Sequence, residues 1–434
     1  MKTTFKKIVA KILIWQSKLV LRRYRPKIVA ITGSVGKTTT KDAIFIILSK
    51  FKSIRKSQKS FNSEIGLPLT ILGCPNGWSN PLIWLENFLR GFRLIIFKCP
   101  YPEWLVLEVG VGKPGDIIKN VAPWLCPDIV VITRFPDKPV HVEFFGSAEK
   151  IIEEKSALAL SLKENGLLVL NHDDEKVYAL HQKVKNRVVS CGASELATYR
   201  AVYETLLYKK HNNIDLPDGL TFKLEYQQNV FPVVLPHILG QHFVYSALAA
   251  LAVAHEIGCD LLTSIKALAE YQTPPGRLSF IEGLNNSIII DDTYNSSPVA
   301  MEAALEVLKT IKGERHIAVL GDMLELGKLT EKAHNEVGHN LKGIADKLVI
   351  VGPRAKFISD GAISVGFDQK EIYSFDDSMA VGKFLKEIIR PGDVILLKGS
   401  QGVRLERAIL PIMAHPEQKD TLLCRQEKDW LNRP

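Results

Sequence analysis

The chain has 434 residues, 46% of them hydrophobic and 24% charged, an ordinary globular composition that excludes a long disordered tail, a low-complexity tract or a fibrous repeat. At typical domain sizes this length makes roughly two to four domains. The formal net charge of +9 favours anionic partners such as a nucleotide, a nucleic acid or an acidic membrane, the plain alternative being a merely basic surface.

In chain order, MKTTFKKIVAKILIWQSKLVLRRYRPK comes first, basic and apolar, with no cleavage-site pattern of small residues. Lys7, Lys11 and Lys18 interrupt its apolar runs, so it is no membrane span. Ile8, Ile12, Trp15 and Leu19 fall at helical spacing. They predict a helix over residues 1–26, ended by Pro26, that either lies on an anionic membrane or packs on its own domain.

Strand-like apolar runs then alternate with helical patterns. KIVAIT (27–32), WLVLEVG (104–110), DIVVIT (128–133) and GLLVLN (166–171) read as strands, KDAIFIILSKF (41–51) and SAEKIIEEKSALALSL (147–162) as helices. This predicts a mostly parallel sheet with helices on both faces. Residues 198–236 alternate apolar and polar and predict a small antiparallel extension, followed by helices over 242–258 and 261–271. TPPGR (273–277) reads as a linker, because two prolines and a glycine break the preceding helix. The alternation restarts with SIIIDD (287–292), VAMEAALEVLKTI (299–311), HIAVLGD (316–322), KLVIVG (347–352) and DVILLKG (393–399). The fold class predicted is therefore α/β: a P-loop-type, mostly parallel central domain over 27–272, then a Rossmann-like α/β domain over 273–434.

Cysteines stand at 74, 99, 126, 191, 259 and 424, none in CxxC spacing, which argues against structural zinc and for reduced thiols in the cytosol.

The chemistry begins at ITGSVGKTTTK (31–41). Gly33-Ser34-Val35-Gly36-Lys37-Thr38-Thr39 has two fewer residues between its glycines than the usual GxxxxGK[ST] loop, but keeps the parts: a strand before, a helix after, and glycines that let backbone N–H groups approach phosphate. Lys37 would reach the β/γ-phosphates of a triphosphate, and Thr38 would ligate Mg²⁺. Glu108, ending an apolar strand, stands where a phosphate-loop fold keeps its metal-binding acid. On their own, His141 in PVHVEFFGS reads as structural, and Lys155 in IIEEKSALAL as a snorkelling surface lysine.

This loop, together with FNSEIGLPLTIL (61–72), LEVG (107–110), HVEFFGS (141–147), PPGRL (274–278), DDTYNSSP (291–298), LGDMLELG (320–327) and KGSQGVRLE (398–406), resembles the Mur ligase superfamily, from about residue 27 to residue 410. DDTYNSSP, GDMLELG and KGS resemble the branch that joins D-Ala-D-Ala to a UDP-N-acetylmuramoyl tripeptide in peptidoglycan precursor synthesis.

The resemblance implies an ATP-dependent amide ligase. The ATP γ-phosphate passes to a carboxylate, an amine attacks the acyl phosphate, and a tetrahedral intermediate collapses to the amide. By position, Lys37 would hold the β/γ-phosphates, Thr38 and Glu108 one Mg²⁺, and His141 with Glu108 a second. Lys155, fourteen positions after His141, matches a lysine that many family members carbamylate into an oxygen ligand. His242 would lie near the nucleotide, and Arg277 at the domain junction would touch the ATP phosphates on closure. Asp292, Tyr294 and Asn295 would serve the nucleotide or the incoming amine, although DDTYNSSP alone also reads as a local cap or turn. The implied partners are the UDP-muramoyl peptide, the D-Ala-D-Ala dipeptide and ATP, with no nucleic acid. The implied setting is a cytoplasmic monomer, its N-terminal helix allowing contact with the inner membrane face.

Departures from the family pattern leave alternatives open. Only about 26 residues precede the first strand, too few for the UDP-binding domain that begins such ligases. TRFPDKPVH is two residues longer than usual, and Ser156-Ala157 replaces Gly-Glu after Lys155. Phe243 and Ser246 stand where asparagines are common, and Ser63 replaces an asparagine beside Glu64. A ligase for another carboxylate and amine, as in cyanophycin-type or lipid-linked-precursor enzymes, is the near alternative. A P-loop ATPase or kinase without ligation, or an idle scaffold, is the remoter one.

Overall fold

The computed structural model describes residues 3–58, 61–62, 64–77, 80–135, 145, 147–211, 214–427 and 430. Two compact units emerge. One comprises residues 1–202, 223–233 and 243–271, the other residues 203–222, 234–242 and 272–434.

The first begins with helix α1 (Thr3–Tyr24), then β1 (Lys27–Thr32), α2 (Lys37–Ser49), β2 (Ile54–Lys56), α3 (Gly66–Leu72) and α4 (Pro81–Ile96). Next come β3 (Trp104–Glu108), β4 (Ile129–Ile132), α5 (Ala148–Leu160), β5 (Leu167–Asn171) and β6 (Arg187–Gly192). Strands β7 (Tyr199–His211), β8 (Ile214–Tyr226) and β9 (Asn229–Pro236) follow along the chain, with Tyr203–Phe222 and Val234–His242 counted in the second unit, then α6 (Phe243–Glu256) and α7 (Leu261–Leu268) of the first. The sheet order among the described residues is β2-β3-β1-β4-β5-β6-β7-β8-β9, with β2 to β7 paired in parallel.

These strands are near-continuous apolar runs because both faces are covered. Ile28, Ala30, Leu105, Leu107, Val130 and Ile132 share one hydrophobic core with Leu13 of α1, Leu69 of α3, Trp84 of α4 and Leu158 of α5. The alternate set, Val29, Ile31, Val106 and Val131, is equally buried and points to the opposite face. The extension predicted as antiparallel at 198–236 is the run β7 to β9 at one end of the sheet, where β7 joins β6 in parallel instead. Gln227 and Gln228, both left-handed (φ 45° and 66°), form the two-residue turn that folds β9 back antiparallel on β8.

The predicted N-terminal helix exists, but its buried face is not the stripe the periodicity picks out. Val9, Leu13, Gln16, Ser17 and Val20 are buried, whereas Ile8 and Trp15 are about half exposed. Polar Gln16 occupies a core position because its amide donates to the Phe88 carbonyl of α4 at 2.9 Å. Gly91 makes room for that crossing: a Cβ there would sit 2.4 Å from Gln16 Oε1. No helix among the described residues is long and apolar enough to cross a membrane.

The second unit holds a sheet of order β10-β11-β15-β12-β13-β14, with β10 antiparallel to β11 and the rest parallel. The strands are β10 (Ser279–Glu282), β11 (Ile288–Asp292), β12 (Arg315–Gly321), β13 (Lys347–Val351), β14 (Ile372–Phe375) and β15 (Asp393–Lys398). Helices α8 (Pro298–Thr310), α9 (Thr330–His339), α10 (Lys356–Ser364) and α11 (Ser378–Ile388) connect them. Ser297 caps α8 by accepting from the Ala300 N–H, which fixes the turn that carries DDTYNSSP. All six cysteines are free thiols, as expected.

Candidate active site

β1 delivers the glycine loop to the N-terminus of α2. Gly36, left-handed at φ 82°, is the N-cap of that helix and offers no capping side chain, so the first-turn N–H groups are left for an anion. Gly33 (φ 142°) lies so close to Thr133 that a Cβ would fall 2.0 Å from its Oγ1. Thr133 in turn donates to the Val35 carbonyl at 2.6 Å, clasping the loop from the end of β4.

Lys37 curls over the loop, its Nζ donating to the carbonyls of Gly33 (2.9 Å) and Ser34 (3.2 Å). Thr38 Oγ1 donates to Glu108 Oε2 at 2.9 Å, and Asn62 Nδ2 donates to Oε1 at 3.1 Å. Buried Lys41 places its Nζ 3.5 Å from Glu108 Oε2 and 3.7 Å from Asp42 Oδ1. Glu108 is thus a buried carboxylate with fixed orientation, facing a threonine hydroxyl beside the phosphate loop. That donor set fits Mg²⁺, which takes one or two protein oxygens and completes its shell with phosphate and water. Among the described residues no group of three His, Cys, Asp or Glu side chains gathers to hold a metal by itself.

Lys155 is not a snorkelling surface residue. It is only 7% exposed and its Nζ donates to Ser34 Oγ at 2.6 Å, inside the phosphate loop. Burial, with Lys37 nearby, pulls its ammonium down to about pKa 7. The preceding residue holds α5 in place: the Glu154 carboxylate accepts the N–H groups of Gly115 (3.0 Å), Ile117 (2.6 Å) and Ile118 (2.9 Å). Ser246 accepts from Thr40 Oγ1 at 3.0 Å. Thr39 is half-buried on the first turn of α2, and His141 lies outside the described residues.

The second unit assembles its own set. Asp292 Oδ2 pairs with Lys398 Nζ at 2.5 Å, and Lys398 also donates to the Asn295 carbonyl at 3.0 Å. The Asn295 side chain is exposed. The Arg277 guanidinium stacks 4.4 Å from the Tyr294 ring centroid, and left-handed Gly276 brings its carbonyl to the Tyr294 N–H at 3.0 Å. Burial lowers the His242 pKa, while Asp292 opposes and Lys398 adds to that shift.

The structure therefore gathers Ser34, Lys37, Thr38, Glu108 and Lys155 around one loop, and Asp292, Tyr294, Asn295 and Arg277 around one turn. Sequence reasoning missed Asn62, Lys41 and Glu154. Asn62 lies in FNSEIGLPLTIL but meets Glu108 only through the fold, and a lone lysine or glutamate within a helix gives no signal.

Comparison with known proteins places the chain in a family. Residues 91–254 match the Mur ligase middle domain, and residues 276–401 match the Mur ligase glutamate ligase domain. The UDP-N-acetylmuramoyl-tripeptide–D-alanyl-D-alanine ligase of Bacillus subtilis is 30% identical over 410 residues, covering 92% of this chain and 79% of that protein. The Escherichia coli protein of the same name is 29% identical, covering 88% and 76%. Among solved structures, the MurF ligase of Thermotoga maritima in complex with ADP superposes with a TM-score of 0.74 at 26% identity, covering 94% of this chain and 84% of that one. A glycine loop with its lysine, a buried glutamate on the loop threonine, and an identity of this extent over nine-tenths of the sequence lead to one conclusion: the chain belongs to the Mur ligase family.

Proposed function

We propose that this protein is an ATP-dependent, ADP-forming ligase that joins D-Ala-D-Ala to a UDP-N-acetylmuramoyl tripeptide in peptidoglycan precursor synthesis. The observation that carries the reading is the second lysine on the phosphate loop. Lys155 reaches Ser34 from a separate helix, on the loop whose Thr38 meets Glu108, a group for which simple ATP hydrolysis has no evident use. The relatives that share this sequence over most of its length bear the name of that ligase.

In this reading Gly33, Ser34, Val35, Gly36 and Thr39 supply the backbone and hydroxyl groups that surround the ATP phosphates, and Lys37 swings from its loop carbonyls to the β/γ-phosphates. Thr38 and Glu108 would hold Mg²⁺, which when bound would neutralise charge on the phosphoryl group in transfer. The tripeptide carboxylate attacks the γ-phosphorus, giving an acyl phosphate and ADP. The D-Ala-D-Ala amine then attacks the acyl carbon and loses a proton, the C–O bond breaks, and inorganic phosphate leaves.

A lysine whose pKa is drawn down to about 7 is largely uncharged at pH 8, so Lys155 is primed to take up CO₂ as a carbamate. The carbamate oxygens, with His141, would serve a second Mg²⁺. Asp292, Tyr294, Asn295, Arg277 and His242 serve the nucleotide and the incoming amine.

The test is phosphate release by purified protein with ATP and Mg²⁺, the tripeptide nucleotide and the dipeptide being supplied separately and together. Release only with both, and the mass of the pentapeptide product, support the proposal. Release that ignores the dipeptide refutes it.

A further inference from the structure

The backs of α1 and α4 carry an apolar surface that the ligase reading does not use. On α4, Leu82, Leu85, Leu89, Phe92 and Ile96 all point outward, and Leu82 is 73% and Ile96 62% exposed. At 100° per residue they fall within about 80° of the helix circumference. Trp84, Asn87, Gly91 and Leu94 occupy the opposite, buried face. An amphipathic helix normally turns one apolar face inward and a polar face to water; α4 is apolar on both.

α1 repeats the pattern with Ile8 and Trp15, and Trp15 meets Phe92 edge-on at 6.1 Å between ring centroids, so the two stripes are continuous. The flanks are basic. Exposed Lys7, Lys11, Lys18 and Arg22 border the α1 stripe, and Arg90 and Arg93 border that of α4. Glu86 is the single acid in the sequence of both helices.

We infer that α1 and α4 together form a docking surface for an anionic lipid bilayer, lying in the plane of the headgroups. Charge complementarity selects this occupant. Leucine, isoleucine and aromatic side chains enter the acyl boundary, Trp15 sits at headgroup level, and the lysine and arginine heads snorkel to lipid phosphates. A second copy of the chain would instead bring these same basic flanks against one another. Neither helix is long and apolar enough to cross the membrane, which leaves attachment in the plane. The inference stands independently of the substrate.

The test is co-sedimentation of the full chain with phosphatidylcholine vesicles, with and without phosphatidylglycerol. Wild type is expected to sediment with the anionic vesicles, weakly with the neutral ones, and less as salt rises. The double variant Leu85→Glu/Leu89→Glu, at two exposed positions, is expected to lower the partition at least about tenfold with an unchanged circular dichroism spectrum. Lys11→Glu/Lys18→Glu should weaken binding to anionic vesicles alone. Absence of binding to anionic vesicles, or equal binding by the leucine variant, overturns the inference. So does self-association in solution that the leucine variant abolishes while vesicles capture neither form.

Discussion

Replacing Glu108 by glutamine tests whether the buried carboxylate is both a structural anion and the metal acid. Its two oxygens divide three partners: Oε1 accepts from Asn62, and Oε2 faces Thr38 Oγ1 at 2.9 Å and Lys41 Nζ at 3.5 Å. A glutamine amide must turn its NH₂ toward either Asn62 or Lys41. In both orientations the charge that balances a lysine of 1% exposure is gone. Removing one partner of a buried ion pair costs about 3–5 kcal/mol. Lys41 keeps Asp42 at 3.7 Å, so the expected loss here is smaller, about 2–3 kcal/mol. The double variant Lys41→Met/Glu108→Gln removes the buried ammonium together with the carboxylate and should lie within about 1 kcal/mol of wild type. ATP turnover should be lost in the single and the double variant alike, because restoring the core does not restore a metal ligand. Urea titration followed by circular dichroism reads the stability, and phosphate release reads the turnover. A single variant as stable as wild type would refute the buried pair, and turnover in the double variant would refute the metal role.

Three further outcomes follow from the same geometry. Lys37→Ala should lower turnover by roughly a hundred- to a thousandfold with the fold intact, since this lysine serves the ligand rather than the core; normal turnover would remove the phosphate-loop assignment. Protein incubated with ¹³C-bicarbonate at pH 8 should show a carbamate resonance that Lys155→Met abolishes and that fades as the pH falls below about 7; a resonance that survives in the variant would place the carbamate elsewhere. Asp291, buried with Oδ2 unpartnered, has its carboxyl pushed up from 3.8 to about 7, chiefly by burial. The folded state therefore keeps a proton that the unfolded state releases, and stability falls as pH rises between about 4 and about 7. Asp291→Asn should gain stability relative to wild type at pH 8 compared with pH 4, read by urea midpoints; equal differences at the two pH values would contradict it.

The elements that were legible in the sequence are those whose environment is uniform. β1, β3, β4, β5, β11, β12, β13 and β15 are buried on both faces, so each is a continuous apolar run. The phosphate loop was legible because its chemistry needs glycines, a lysine and a threonine in consecutive positions. What stayed hidden depends on partners far along the chain. α1 buries Gln16 and Ser17 and exposes Ile8 and Trp15, so periodicity marked an outward stripe and not the packed one. α4 carries apolar side chains outward as well as inward, so its apolar pattern does not tell the packed face from the exposed one. Lys155 alone looks like a surface lysine, and only the distance to Ser34, 121 positions earlier, brings it into the loop.

The most direct test of the central claim is the fate of an oxygen atom. With the acceptor carboxylate of the tripeptide labelled with ¹⁸O, attack on the γ-phosphorus and collapse of the acyl phosphate must carry one label into the inorganic phosphate. Phosphate that gains one ¹⁸O per amide formed is the predicted result. Unlabelled phosphate, released at the same rate with the peptide product absent, would mean hydrolysis by water and would contradict the ligase account.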